Sequence, residues 1–210
     1  MLPSPIQLES LVGEIRVNLI RITAIIVFFL NHLVAQYSGL SDVETANWFH
    51  FRVSAISGFW FLTALTVYFW TSLSPWSMKG ACIVTALDLT MIGLLVTLSP
   101  AGPRSVLVFL FPIVIVAAAL RLHLRLVYFT TLGALLAYGL CLGQFVFLKI
   151  GVDQYYSTGS DLRIPRDEQC FVALLLFVTG LIAGQYVRQA LRLSGAVALQ
   201  TEEAEATKHE

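Results

Sequence analysis

Charge is scarce in this chain of 210 residues: Asp, Glu, Lys and Arg together make up 12%, and thirteen basic residues cancel thirteen acidic ones. No net positive field is left to attract a polynucleotide, so nucleic-acid partners are not expected. The three cysteines, Cys82, Cys141 and Cys170, lie in apolar runs without a CxxC pair or a Cys/His ladder, which excludes a disulfide framework and a structural metal site. The 14 glycines are scattered, and no GxSxG, HExxH, P-loop or kinase signature is present. No catalytic constellation emerges, and the chain is not expected to be an enzyme by itself. No basic stretch or small-residue cleavage site precedes the first apolar run, which is therefore expected to stay as a helix.

What remains is apolar surface. Hydrophobic residues make up 57% of the chain and mean hydropathy is +0.78, against a hydrophobic share of about 45–50% in soluble domains. A membrane-spanning helix takes about 20 mostly apolar residues, so six spans absorb roughly 120 and leave about 90 for loops and ends. Runs broken by Pro, Gly and charge place the spans at 17–37, 53–73, 81–98, 105–120, 126–148 and 170–187. The sequence thus predicts an all-α, six-helix transmembrane bundle over 17–187. An interfacial amphipathic helix precedes it over 1–16, where Ile6, Leu8, Leu11, Val12, Ile15 and Leu19 recur near helical spacing. A cytoplasmic connector helix follows over 188–210. The fourth span is short and carries Pro112, which predicts a kinked crossing; the alternative is that spans four and five form one re-entrant unit.

With the N-terminus in the cytoplasm, Arg16, Arg21, Lys79, Arg121, Arg125, Arg188, Arg192 and Lys208 fall on that side, against Arg52, Arg104, Lys149, Arg163 and Arg166 outside. This excess of eight over five places both termini inside. Trp48, Trp60, Trp70, Trp76, Tyr155 and Tyr156 read as aromatic anchors at headgroup depth. Ser41 and Glu44 stand in capping-box spacing for a short outer helix, 151–169 reads as a plain connector or a cover over the outer mouth, and His123 is expected against lipid phosphates. Gly139 with Gly143, and Gly180 with Gly184, are each four residues apart. They suit close helix packing between spans five and six or between two protomers.

Polar groups inside the spans carry the functional signal, because each costs several kcal/mol unless paired or hydrated. Counting rise per residue puts Arg21 roughly 6 Å, Tyr68 roughly 8 Å and Asp88 roughly 10 Å from the inner boundary. An Arg21–Asp88 ion pair with Tyr68 as hydrogen-bonding neighbour follows, unless Arg21 snorkels and Asp88 is protonated. Asp88 is the only acid within these spans. Toward the outer side, His32, Gln36, Gln144, Asn31 and His50 define a candidate pocket for a mostly apolar ligand, quinone-like or fatty. Alternatively His32 hydrogen-bonds a neighbouring helix, or His32 and His50 hold a haem or a metal ion. Beyond the last span Tyr186, Ala190, Leu193, Val197, Gln200, Ala204 and Thr207 alternate in steps of four and three, the interval of a coiled-coil seam; a frayed tail is the alternative.

Asp88 in the third span, the turn Leu98-Ser99-Pro100-Ala101-Gly102-Pro103-Arg104-Ser105, Pro112, and the closing run Ala117-Ala118-Ala119-Leu120-Arg121 together resemble the membrane input module of RegB/PrrB-type redox-sensing histidine kinases. The general plan is also similar to six-helix membrane anchors of bacterial nucleotide cyclases. The resemblance implies a dimeric sensor in the bacterial inner membrane that passes a signal through its sixth helix to a cytoplasmic kinase or cyclase. In the kinases the turn between spans three and four ends in Asn-Pro-Phe and is implicated in quinone sensing; Gly102 and Pro103 stand in that turn here. A passive anchor and a small transporter or channel remain the rival expectations.

Overall fold

The computed structural model describes residues 5–37, 43–73, 77–99, 101–151 and 164–206, all helix and turn, with no strand among them. Among the described residues six α-helices follow one another: α1 Pro5–Tyr37, α2 Val43–Leu73, α3 Met78–Leu98, α4 Leu110–Ala119, α5 Leu124–Gln144 and α6 Arg166–Ala206. Short 3-10 turns at Gly102–Arg104 and Val106–Phe109 lead into α4, and α5 ends in a π-helical turn, Phe145–Ile150. Five helices are long and apolar enough to cross a membrane. The protein is an all-helical membrane protein.

The chain runs up and down between two ends. Call proximal the end where α1 and α3 begin. Ala81 of α3, Ala118 of α4 and Leu126 of α5 pack together there. At the distal end Lys149 Nζ donates to the Ser99 carbonyl at 2.9 Å, and Arg104 pairs with Glu168 near the start of α6. Short as it is, α4 returns the chain from one end of α3 to the other. It lies against α1, α3, α5 and α6, which explains a sequence apolar on nearly every side.

α1 and α2 form an antiparallel seam whose register two contacts fix. Asn18 lies opposite Ala64 and His32 opposite His50, so fourteen residues forward in α1 (18 to 32) match fourteen backward in α2 (64 to 50). On α2 the buried residues Val53, Ser57, Trp60, Ala64, Val67 and Thr71 alternate in steps of four and three, the spacing that keeps one stripe against a partner. The buried residues of α1 are Gly13, Glu14, Val17, Asn18, Arg21, Ile25 and His32, and four of the seven are polar or charged.

Several features differ from the sequence reading. α1 has no break near residue 16: the segment read as an interfacial helix continues into the first span, whose apolar stretch is Val12–Val34. Pro112 stands in the first turn of α4, where an N–H has no α-helical partner to lose, and the 3-10 turn Val106–Phe109 leads into it. Trp60 is buried halfway along Trp48–Thr71 instead of anchoring at a boundary. α2 begins at Val43 and runs into its apolar stretch as one helix; Ser41 lies outside the described residues, as do most of 151–169 and Thr207.

Of the two glycine pairs, only one is at a helix contact. A Cβ on Gly180 would collide with Thr131 of α5, and one on Gly184 would lie 3.5 Å from Tyr128, so α6 sits close on α5 through these positions. Gly139 and Gly143 face open space.

Candidate functional site: a buried charge cluster and a histidine pair

Arg21 and Asp88 form a two-pronged ion pair. Arg21 Nε donates to Asp88 Oδ1 at 2.8 Å and Nη2 donates to Oδ2 at 2.7 Å, with both residues 5% exposed. A planar guanidinium meeting both carboxylate oxygens is the strongest neutralising geometry a protein offers. The carboxylate also accepts from Trp60 Nε1 at 2.8 Å. Arg21 Nη1 donates to Asn18 Oδ1 at 2.7 Å, and Asn18 Nδ2 donates to the Ala64 carbonyl at 3.1 Å. Three helices are tied at one carboxylate. Trp60 takes the place expected of Tyr68, whose half-exposed ring instead lies edge-on to Phe69.

A second pair extends the cluster to the proximal end. Arg121 Nε lies 2.8 Å from Glu14 Oε1, with side chains only 2% and 3% exposed. The Nε–H is not aligned as a hydrogen bond, and among the described residues Arg121 Nη2 and Glu14 Oε2 have no hydrogen-bond partner. Arg121 Nη1 donates to Thr85 Oγ1 at 2.9 Å, one turn before Asp88 on α3. Glu14 is thus a second buried acid, where the sequence reading had Asp88 alone. Two arginines balance two carboxylates.

Local backbone explains how Arg121 reaches Glu14. Leu122 adopts a left-handed conformation (φ 54°), uncommon for a residue with a branched side chain, and turns the chain sharply between α4 and α5. On the other side Gly13 lets α1 approach closely: a Cβ there would stand 2.9 Å from the Leu120 carbonyl oxygen. The spacing of Glu14, Asn18 and Arg21 at i, i+4 and i+7 puts the acid on the same face of α1 as the ion pair, but nothing in it points to Arg121.

The candidate pocket residues separate. His32 is buried and stacks on His50 with ring centroids 5.1 Å apart, the two nitrogens Nε2 and Nδ1 lying 3.0 Å from each other. Phe28 stacks on His32 and Phe49 meets it edge-on. One imidazole donates to the other, so in this packing the pair has no space for a haem between its rings. Asn31 is exposed and faces a groove between α1 and α4. Gln144 lies on a different helix pair, in a groove with Thr97 and Cys141 between α3 and α5. The side chain of Gln36 lies outside the described residues. Among the described residues no group of three or more His, Cys, Asp or Glu side chains is placed to hold a metal ion.

Comparison with protein-family models, curated proteins and solved structures finds no match to this chain.

Proposed function

We propose that this protein is a six-span input module of the bacterial inner membrane, with both termini cytoplasmic, which passes a conformational signal through α6 to an output domain of the kinase or cyclase kind. The observation that carries this reading is α6 itself. It is one helix of 41 residues, packed against α4 and α5 up to Val187, with every residue from Leu191 to Ala196 exposed. Arg188 Nη2 donates to the Tyr128 hydroxyl at 2.6 Å where the helix leaves the bundle. A helix anchored at one end and exposed beyond it transmits rotation or tilt, and Tyr186 and Leu193 present an exposed seam for a second copy.

The sixth crossing is α4 with its leading 3-10 turn, about 23 Å long against a hydrocarbon layer of about 30 Å. Its cover of neighbouring helices compensates for the shortfall. Among the described residues Arg16, Lys79, Arg125, Arg188 and Arg192 fall toward the proximal side against Arg52, Arg104, Lys149 and Arg166 toward the distal side, a narrow five-to-four excess that favours placing the proximal end in the cytoplasm. Since Arg21 and Arg121 are neutralised internally, they add nothing to this orienting charge. No reaction is assigned to the chain, and a ligand acts only through its difference in affinity for two helix packings.

Single cysteines introduced from position 190 to 204, cross-linked in native membranes, test the reading. Cross-linking that peaks at Ala190, Leu193, Val197, Gln200 and Ala204 supports a paired output helix. Flat or absent cross-linking would contradict it.

A further inference from the structure

Beside the charge cluster is a niche of about 30 Å³ bordered by Arg21, Trp60, Thr85, Asp88 and Arg121. An apolar groove of about 580 Å³ lies next to it between α1 and α4, walled by Val27, Phe28 and Leu107 and reaching Asn31. Ile20, Ala24, Leu110 and Ile113 border both spaces, so a shift of these four side chains would join them into one slot, polar and narrow beside the ion pairs, apolar and wide toward the distal end.

We infer that this slot binds a neutral, single-chain amphiphile, an alkyl chain ending in a hydroxyl or ketone oxygen, which enters sideways from the lipid. The niche holds the volume of about one or two water molecules, which limits the head to one or two heavy atoms and excludes a phospholipid headgroup. Arg121 borders the niche with its side chain 2% exposed, and among the described residues its Nη2 has no aligned acceptor, so a neutral oxygen entering the niche is the group it could accept as a hydrogen-bond partner. Two arginines already balance two carboxylates, so a carboxylate head would leave an uncompensated charge out of water, whereas a hydroxyl or ketone adds none. From Arg21 to Asn31 α1 rises about 15 Å, which suits a medium-length chain.

The site supplies a ligand for the input-module reading and rests on that reading only for what binding would signal. Binding is read by labelling and output by cross-linking of α6, so the two can fail separately.

The full chain in lipid nanodiscs is photolabelled with a dodecanol carrying a mid-chain diazirine, in competition with dodecanol, dodecane or dodecanoate. Adducts should concentrate on Leu19, Ile20, Val27, Val106 and Leu110, and dodecanol should compete about tenfold better than dodecane or dodecanoate, the worth of one buried hydrogen bond. Ala24→Phe, which blocks the neck of the slot and leaves the ion pairs intact, should remove most of the label. Arg121→Met should abolish the preference for dodecanol over dodecane. If Arg121→Met does not fold, competition on the native chain and Ala24→Phe decide. Adducts spread evenly over the lipid face of α5 at Leu132, Leu136 and Leu140, or equal competition by dodecane, would overturn the inference and leave bilayer acyl chains in the groove and water in the niche.

Discussion

Glu14 and Arg121 meet at 2.8 Å in the proximal part of the bundle, and that ion pair fastens α1 to the turn joining α4 and α5. With Arg21 and Asp88 it makes a neutral core of four charges shared among α1, α3 and the α4–α5 turn, with Trp60 of α2 hydrogen-bonded to one of them. Apolar contact gives little preference for one helix partner over another in lipid, so buried polar pairs of this kind fix which helix neighbours which.

Glu14→Gln removes one charge and leaves Arg121 buried without its counter-ion. The expected loss is about 3–5 kcal/mol, measured by unfolding in detergent or nanodiscs. Gly13→Ala should destabilise through the same contact, since its Cβ meets the backbone oxygen of Leu120. The loss from Glu14→Gln should be similar at about 0.1 M and about 1 M salt, because buried charges are screened little. By contrast Arg104→Ala, which breaks a pair 38% and 50% exposed, should cost at most about 1 kcal/mol. A large salt effect on Glu14→Gln would place that pair at the surface.

Asp88→Asn and Arg21→Met should each cost about 3–5 kcal/mol, while the double replacement Arg21→Met with Asp88→Leu should cost much less than their sum. A double-mutant cycle reads the difference. Trp60→Phe should cost about 1.5–3 kcal/mol through loss of one hydrogen bond to a charged acceptor. Additive single losses would mean that Arg21 and Asp88 do not act as a pair.

Gly180→Leu should detach α6 from α5, whereas Gly139→Leu and Gly143→Leu, which meet nothing within 4 Å, should fold as the native chain does. Limited proteolysis and thermal unfolding distinguish the three. Loss of a dimer in Gly139→Leu, with the monomer intact, would instead assign that face to an interface between copies.

The helices were legible in the sequence because long apolar runs separated by Pro, Gly and charge leave few alternatives in a membrane. Arg21 and Asp88 were legible for the related reason that ionisable groups inside such runs demand partners. Glu14 and Arg121 were not: each sat just outside an expected span, where charge is ordinary, and only the continuity of α1 and the left-handed turn at Leu122 bring them inside. Depth alone also grouped Gln144 with His32. Rise per residue gives height along a bundle but not direction around it, and the two occupy grooves on different helix pairs. Pro112 falls inside a span counted from 105 but in the first turn of an α-helix that starts at Leu110, because the apolar run does not show where 3-10 geometry gives way to α.

The six-crossing topology is tested most directly by labelling single cysteines in a Cys82→Ala, Cys141→Ala, Cys170→Ser background with a membrane-impermeant maleimide. Ala101 and His123 are exposed and flank α4 with its leading 3-10 turn. Labelling of Ala101→Cys in intact cells, and of His123→Cys only after permeabilisation, is expected. Labelling of both from the same face would show that α4 turns back within the membrane, and would contradict the arrangement on which the output helix depends.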